Sequence, residues 1–295
     1  MIFCINNALA QQEAMYTQYM FNTLALNPAY AGSRNVVSAT GLIRSQWTGI
    51  KGAPKTQTFT IDAPINKKKV GLGMQLFADK LGRTSNTGAV LSYAYRIRMD
   101  EASLSFGLQG SFSQFNSNYN AMELEPSGLS VDPAFQNNTS KILLNFGTGI
   151  YYNTDRFYVG LSSPELMSNL LPGSDTKLNK QIFHLYLMSG YVFPLGNTFK
   201  LKPSFLLKGV KGAPLEGDVN TNLWIKDVFS IGASWRSYAD VSGLLEVQAT
   251  PQIRIGYSYD YSTTPLSNFN SGSHEIMLRY EFGFQRGKIL TPRYF

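Results

Sequence analysis

The sequence predicts an all-β fold, a transmembrane antiparallel β-barrel of about 14 strands preceded by an N-terminal helical or irregular plug or strap. Three observations carry this. The first is composition: of 295 residues, 43% are hydrophobic and 13% aromatic, yet only 15% are charged. Soluble domains usually carry about 25% charged residues. No run of about 18 apolar residues accompanies that low charge, so a transmembrane helix is excluded. The second is a period-two alternation of apolar with small polar residues from Val36 onward, the pattern of a strand with two different faces. The third is the spacing of the connections, mostly short on one side and long on the other, as outer-membrane barrels have them. A soluble β-sandwich, the rival reading, has no reason for that asymmetry.

The chain opens with "MIFCINNALAQQ", which reads as the end of a secretory signal. Ala8-Leu9-Ala10 offers a small-residue cleavage site before Gln11, although no basic stretch precedes it. Residues 1–10 are therefore expected to be a truncated signal remnant. Cys4 is the single cysteine, so no intramolecular disulfide is possible.

Residues 11–35 come next as the plug or strap. "QYMFNTLALNPAYAGS" (18–33) begins like a short amphipathic helix with Tyr19, Met20, Leu24 and Leu26 on its apolar side. It breaks at Asn27-Pro28, since proline lacks a donor and disfavours helix in the residue before it. Two placements remain open. The segment folds into the lumen, packing Tyr16, Tyr19, Met20, Phe21 and Tyr30 with Asn27-Pro28 as the corner, or it straps across the periplasmic mouth.

Strands are expected near 36–48, 55–65, 69–78, 85–98, 102–115, 140–153, 156–163, 181–194, 198–210, 218–226, 229–237, 240–249, 252–262 and 273–284, placing the barrel at 36–284. The alternation assigns faces. In "TFKLKPSFLLKG", Phe199, Leu201, Pro203, Phe205 and Leu207 face lipid, and Lys200, Lys202 and Lys208 face inward. In "IRIGYSYDY", Ile253, Ile255, Tyr257, Tyr259 and Tyr261 face lipid, and Arg254 and Asp260 face inward. By the same parity Arg44, Gln46, Arg236, Glu275, Arg279 and Glu281 line the lumen, while Trp47 sits at a membrane interface. These charges form an internal ion-pair lattice or a polar passage, or are simply solvated in the lumen. A closed barrel also meets the requirement that no unpaired sheet edge faces lipid.

Short turns are expected at 66–68, 99–101, 153–155, 195–197, 226–228 and 250–251, and long loops at 49–54, 116–139, 164–180, 211–217 and 263–272. The loop 116–139 is acidic, carrying Glu123, Glu125 and Asp132 together with Phe135, and is the first candidate partner surface. The loop 164–180, with Leu166, Met167, Leu170 and Leu171, is the second. Residues 285–295 form a periplasmic tail.

Chemistry is sparse. His184 and His274 are the only histidines, and "SHEIM" lacks the second histidine of a zinc-protease helix. On a strand, His274 and Glu275 would also point to opposite faces. No Gly-x-Ser-x-Gly elbow or phosphate loop is present. No catalytic, metal or cofactor site is expected. The net charge of +7 is spread thinly, with one tight run at Lys67-Lys68-Lys69 in a turn, so nucleic acid is not an expected partner.

Several stretches in order along the chain, "NPAYAG" (27–32), "RSQWTGIKGAPKTQTF" (44–59), "GYSYDYS" (256–262), "GSHEIMLRYEF" (272–282) and "TPRYF" (291–295), resemble the PorP/SprF family. The resemblance implies a barrel in the outer membrane of Bacteroidota, tied to type IX secretion and gliding motility. It also implies protein partners: a large secreted surface adhesin with a type B C-terminal domain, or periplasmic ring lipoproteins, in some cases through a peptidoglycan-binding protein. The expected function is a non-enzymatic anchor that docks the adhesin; the alternatives are a fixture for the periplasmic ring and a passive outer-membrane channel.

Overall fold

In the computed structural model, residues 16–118, 138–167, 183–210 and 213–282 are described. Three single turns of 3-10 helix come first, at Tyr19–Phe21, Thr23–Ala25 and Pro28–Tyr30. The strands follow: β1 (Val37–Ser45), β2 (Lys55–Ile65), β3 (Val70–Leu81), β4 (Thr84–Arg98), β5 (Ala102–Ser117), β6 (Thr139–Thr154), β7 (Phe157–Ser163), β8 (His184–Tyr191) and β9 (Phe193–Leu195). They continue with β10 (Phe199–Val210), β11 (Glu216–Ile225), β12 (Phe229–Arg236), β13 (Asp240–Gln248), β14 (Ile253–Ser262) and β15 (Ser273–Phe282). No helix among the described residues is long and apolar enough to cross a membrane.

All neighbouring strands pair antiparallel, and the sheet closes where β1 meets β15. β8 and β9 lie along the same edge of β10: Ser204 pairs with Gly190, and Leu201 with Phe193. Both pairs belong to one register, so β8 and β9 are two pieces of one wall. The closed barrel therefore has fourteen walls, and every spanning backbone finds a neighbour on both sides, as hydrocarbon demands.

Alternation decides the two faces. On β5, Phe106, Leu108 and Phe112 are exposed outward, while Ser105, Gln109 and Ser113 are buried inward. On β14, Ile255, Tyr257, Tyr259 and Tyr261 are exposed and Arg254, Ser258 and Asp260 buried. Exposed leucine, phenylalanine and tyrosine here meet lipid, so their exposure follows from the solvent.

The outer connections are less uniform than the sequence pattern implied. Those after β3 and β12 are tight, with Leu81 opposite Thr84 and Arg236 opposite Asp240. Gln46 also departs from its expected lumen position. β1 ends at Ser45. Trp47 takes a left-handed backbone (φ 46°) that starts the turn. The Gln46 N–H bonds to the Pro54 carbonyl at 3.0 Å. Strand parity thus stops one residue short, and both Gln46 and Trp47 are half-buried loop residues.

Candidate functional site: the occupied lumen

Residues 16–34 lie inside the ring of strands. They run from the long-loop end, beside the tops of β1, β12 and β14, to the short-turn end, beside the bottoms of β2, β4 and β15. The expected amphipathic helix does not form. Tyr19, Met20, Phe21 and Leu24 are buried, but so are Gln18, Asn22 and Thr23 on the other side. An amphipathic helix needs one watery face, and a segment walled in all round has none. Three 3-10 turns instead leave backbone and polar side chains free to bond outward to the walls.

At the outer end the ties are charged. Arg44 Nη1 lies 2.6 Å from Asp260 and 3.1 Å from Glu275, and donates to the Thr17 hydroxyl at 2.7 Å. Thr17 in turn donates to Asp260 at 2.8 Å. The backbone N–H groups of Thr17 and Gln18 donate to the two Glu275 carboxylate oxygens at 3.0 and 2.8 Å. Arg236, held by Asp218 at 2.9 Å, donates to the Tyr16 carbonyl at 3.1 Å. Tyr16 shares a hydrogen bond with Thr58, and Asn220 donates to the Tyr19 hydroxyl.

The corner at Asn27-Pro28 occupies the middle. Asn27 is fully buried. Its side-chain oxygen accepts from the Ala29 N–H at 2.9 Å, capping the third turn, and its nitrogen donates to the Ile150 carbonyl at 3.0 Å. Proline at the first position of that turn is where a missing donor does no harm. Asn27→Ala should therefore loosen the corner by about 1–3 kcal/mol, the range for stranding buried partners. Faster protease cleavage within the segment, at unchanged barrel yield, would register this.

The inner end is held through the segment's backbone. Asp62 accepts from the Gly32 N–H at 2.7 Å, and Arg96 donates to the carbonyls of Gly32 and Ala31 at 2.8 and 3.0 Å. Arg34 pairs with Glu281. Across the lumen, Lys202 stands 5.5 Å from the Phe21 ring centroid. Arg254 pairs with Glu246 at 3.0 Å and lies over Trp224.

The walls make room with glycine. A Cβ on Gly71 of β3 would collide with the Ala31 carbonyl, one on Gly107 of β5 with the Ala29 and Pro28 backbone, and one on Gly149 of β6 with Asn27. One on Gly256 of β14 would meet Gln18. These wall positions must stay bare because a second chain passes against them.

Of the residues singled out from sequence, Tyr16, Tyr19, Met20, Phe21, Asn27, Pro28 and Tyr30 are all buried in this segment. Arg44, Lys202, Lys208, Arg254, Asp260, Glu275 and Arg279 are buried on the lumen face, with Arg279 donating to Thr40. Glu281 is half-buried beside Arg34, and Lys200 is half-exposed at the inner mouth, 2.8 Å from Asp227. Glu123, Glu125, Asp132, Phe135, Leu170 and Leu171 lie outside the described residues. Leu166 and Met167 are exposed, and their backbone is tacked to β6: Leu166 N–H to Phe146 O, and Met167 N–H to the Asn145 side chain, both at 2.8 Å. Asp62, Arg96, Asp218, Glu246 and the four glycines went unnoticed in the sequence. Each sits on the small-polar parity of its strand, which was the available signal.

Above the segment, a polar cavity of about 140 Å³ opens at the outer end, lined by Tyr16, Leu26, Gln75, Asn86, Gln109 and Asn145, among others. At the inner end a wider recess of about 940 Å³ is lined by Ser33, Asn35, Arg98, Asp100, Glu101 and Arg156, among others. Among the described residues, no three His, Cys, Asp or Glu side chains are grouped to hold a metal ion.

This geometry defines a transmembrane β-barrel whose lumen is occupied by its own N-terminal segment. A family model described as type IX secretion system membrane protein PorP/SprF matches residues 8–280, and the chain belongs to that family. It is thus an integral outer-membrane protein. Among solved structures the chain is similar to a Pseudomonas aeruginosa FadL homologue (12% identity, 94% of this chain and 96% of that chain covered, TM-score 0.48). It is also similar to the CymD monoaromatic hydrocarbon channel (12%, 92% and 94%, 0.48) and to KdgM porin (8%, 84% and 100%, 0.39). Comparison with curated proteins gives no match.

Proposed function

We propose that this protein is a non-enzymatic, closed anchor of type IX secretion, docking a large secreted surface adhesin through that adhesin's type B C-terminal domain at the outer mouth. One observation carries the reading: residues 16–34 fill the lumen and bond to walls all round it, from Glu275 and Arg44 at one end to Asp62 and Arg96 at the other. A lumen filled in this way offers partners a surface, where a passive channel would offer a passage. Residues 16–34 act as a plug, and the rigid barrel presents its outer loops to the adhesin. Ligand-binding residues concentrate on loops held by a rigid scaffold.

A second reading rests on the inner recess. Its charged rim, with Arg98, Asp100, Glu101, Asp155 and Arg156, suits a periplasmic protein and hence a fixture for the ring lipoproteins, directly or through a peptidoglycan-binding protein. Affinity purification of the tagged protein from its native outer membrane in mild detergent, read by mass spectrometry, tests both. The anchor reading expects stoichiometric recovery of a large surface protein that is lost when its C-terminal domain is deleted. Ring lipoproteins in its place would move the working face to the short turns. Neither partner, together with steady conductance of the intact protein in planar bilayers, would overturn the anchor in favour of a channel.

A further inference from the structure

The outward face of β1 to β4 carries a feature that the lumen and its loops do not use. Lys55 on β2 stands directly opposite Lys80 on β3. Their chain neighbours Thr56 and Asp79 bond to each other at 2.6 Å on the lumen side, so both lysines point outward, and both are exposed. Like charges directly opposed across a strand pair repel. Among the described residues neither lysine has an ion-pair partner. The residues flanking them in the same row are Ser45 on β1 and Ser85 on β4, which bring no negative charge. Exposed Lys51 and Arg83 stand in the two adjoining connections, which touch through Gly82 N–H to Gly52 O at 2.8 Å. Positive charge is therefore gathered on one arc of the rim.

Directly beneath this pair, toward the middle of the membrane, the barrel wall is hollowed. A groove of about 580 Å³ runs over Gly41, Ile43, Phe59, Leu76, Ala78 and Leu278. It exists because Gly41 and Ala78 are small between larger neighbours, and a Cβ added at Gly41 would meet nothing within 4 Å. The register puts Gln57 and Ala78 one outward step below the lysines, and Phe59 and Leu76 two steps below. Cations at the headgroup level with an apolar channel under them match a lipid, whose charge and chain are joined in that order.

We propose that this arc binds one phosphorylated glycolipid of the outer leaflet, its phosphate bridging Lys55 and Lys80 and one acyl chain lying in the groove. The phosphate removes the repulsion between the two ammonium groups, and lysine serves as the point charge that phosphate accepts. The long lysine stems let both charges reach the headgroups while their carbons lie against the wall.

The test is lipid retention, counted by native mass spectrometry on protein extracted from its own outer membrane in mild detergent. Wild type is compared with Lys55→Gln/Lys80→Gln and with Gly41→Leu, which fills the groove and leaves the lysines in place. Heat-dependent gel migration verifies that each variant is a folded barrel. Wild type should hold about one glycolipid, and the charge variant should bind it about thirtyfold more weakly, as two lysines at roughly 1 kcal/mol each imply. Gly41→Leu should also lose it, and inorganic phosphate should fail to displace it from wild type. Equal retention by wild type and the charge variant, equal retention of lipid lacking phosphate, or unchanged retention in Gly41→Leu would each overturn the site.

Discussion

Replacing Gly107 with valine will drive the N-terminal segment out of the lumen and open the barrel. The new Cβ would fall within 2.5 Å of the Ala29 Cα and the Pro28 carbonyl carbon. Both are backbone atoms, so no side-chain rotation relieves the overlap, and the segment as a whole must move. The strand itself should tolerate the change, because valine favours extended backbone where glycine weakens it. The fold should therefore survive while its filling does not. Leu24→Cys in a Cys4→Ser background reports this directly, since Leu24 is 3% exposed. A membrane-impermeant maleimide should leave that cysteine unmodified in the wild-type lumen and modify it readily in the Gly107→Val barrel. Planar-bilayer conductance should rise in parallel. Gly243→Val is the control, because a Cβ at Gly243 has nothing within 4 Å. Unchanged modification and conductance in Gly107→Val would mean that the segment does not obstruct the lumen.

The same position shows where sequence reading succeeds and where it stops. Strands were legible because lipid and lumen impose opposite demands on alternate residues, and each span repeats them. Phe106 and Leu108 against Ser105 and Gln109 is such a repeat. The lumen charges came with the parity, so Arg44, Lys202, Asp260 and Glu275 could be named without their partners. What a lumen residue bonds to was not legible. Asp62 meets the Gly32 N–H and Arg96 meets the Gly32 carbonyl, separations of 30 and 64 residues that carry no local pattern. Gly107 itself reads as one more small residue on the polar face. Its meaning lies in the chain that passes it. The apolar periodicity at Tyr19, Met20 and Leu24 misled for a related reason: periodicity reports a helix only when one side faces water, and Gln18, Asn22 and Thr23 face walls. At Gln46 the parity argument ran past the end of its strand.

Replacing Arg44 with methionine will destabilise the barrel by about 3–5 kcal/mol, the range for removing one member of a buried ion pair. Arg44 is 1% exposed and is the cation nearest both Asp260 and Glu275. Methionine fills comparable space but leaves two carboxylates facing each other in a closed site. Glu275 keeps the N–H groups of Thr17 and Gln18, whereas Asp260 keeps the Thr17 hydroxyl. Asp260→Asn should therefore rescue most of the loss in the double variant, because an amide tolerates burial better than an unpaired charge. Midpoints of guanidinium unfolding in lipid vesicles give the comparison, and a double variant no more stable than Arg44→Met would refute the pairing. The functional consequence should be confined to the outer mouth. Arg44 ties side chain to side chain, through Thr17, whereas Asp62 and Arg96 grip the backbone of Ala31 and Gly32 at the inner mouth. Losing this tie should loosen the start of the segment, which Glu275 and Arg236 still hold by its backbone, while the inner grip stays closed. The Leu24→Cys probe should then react more slowly in Arg44→Met than in Gly107→Val, where the middle of the segment is displaced. That order separates a loosened lumen from an opened one, and it follows from which atoms each wall residue holds.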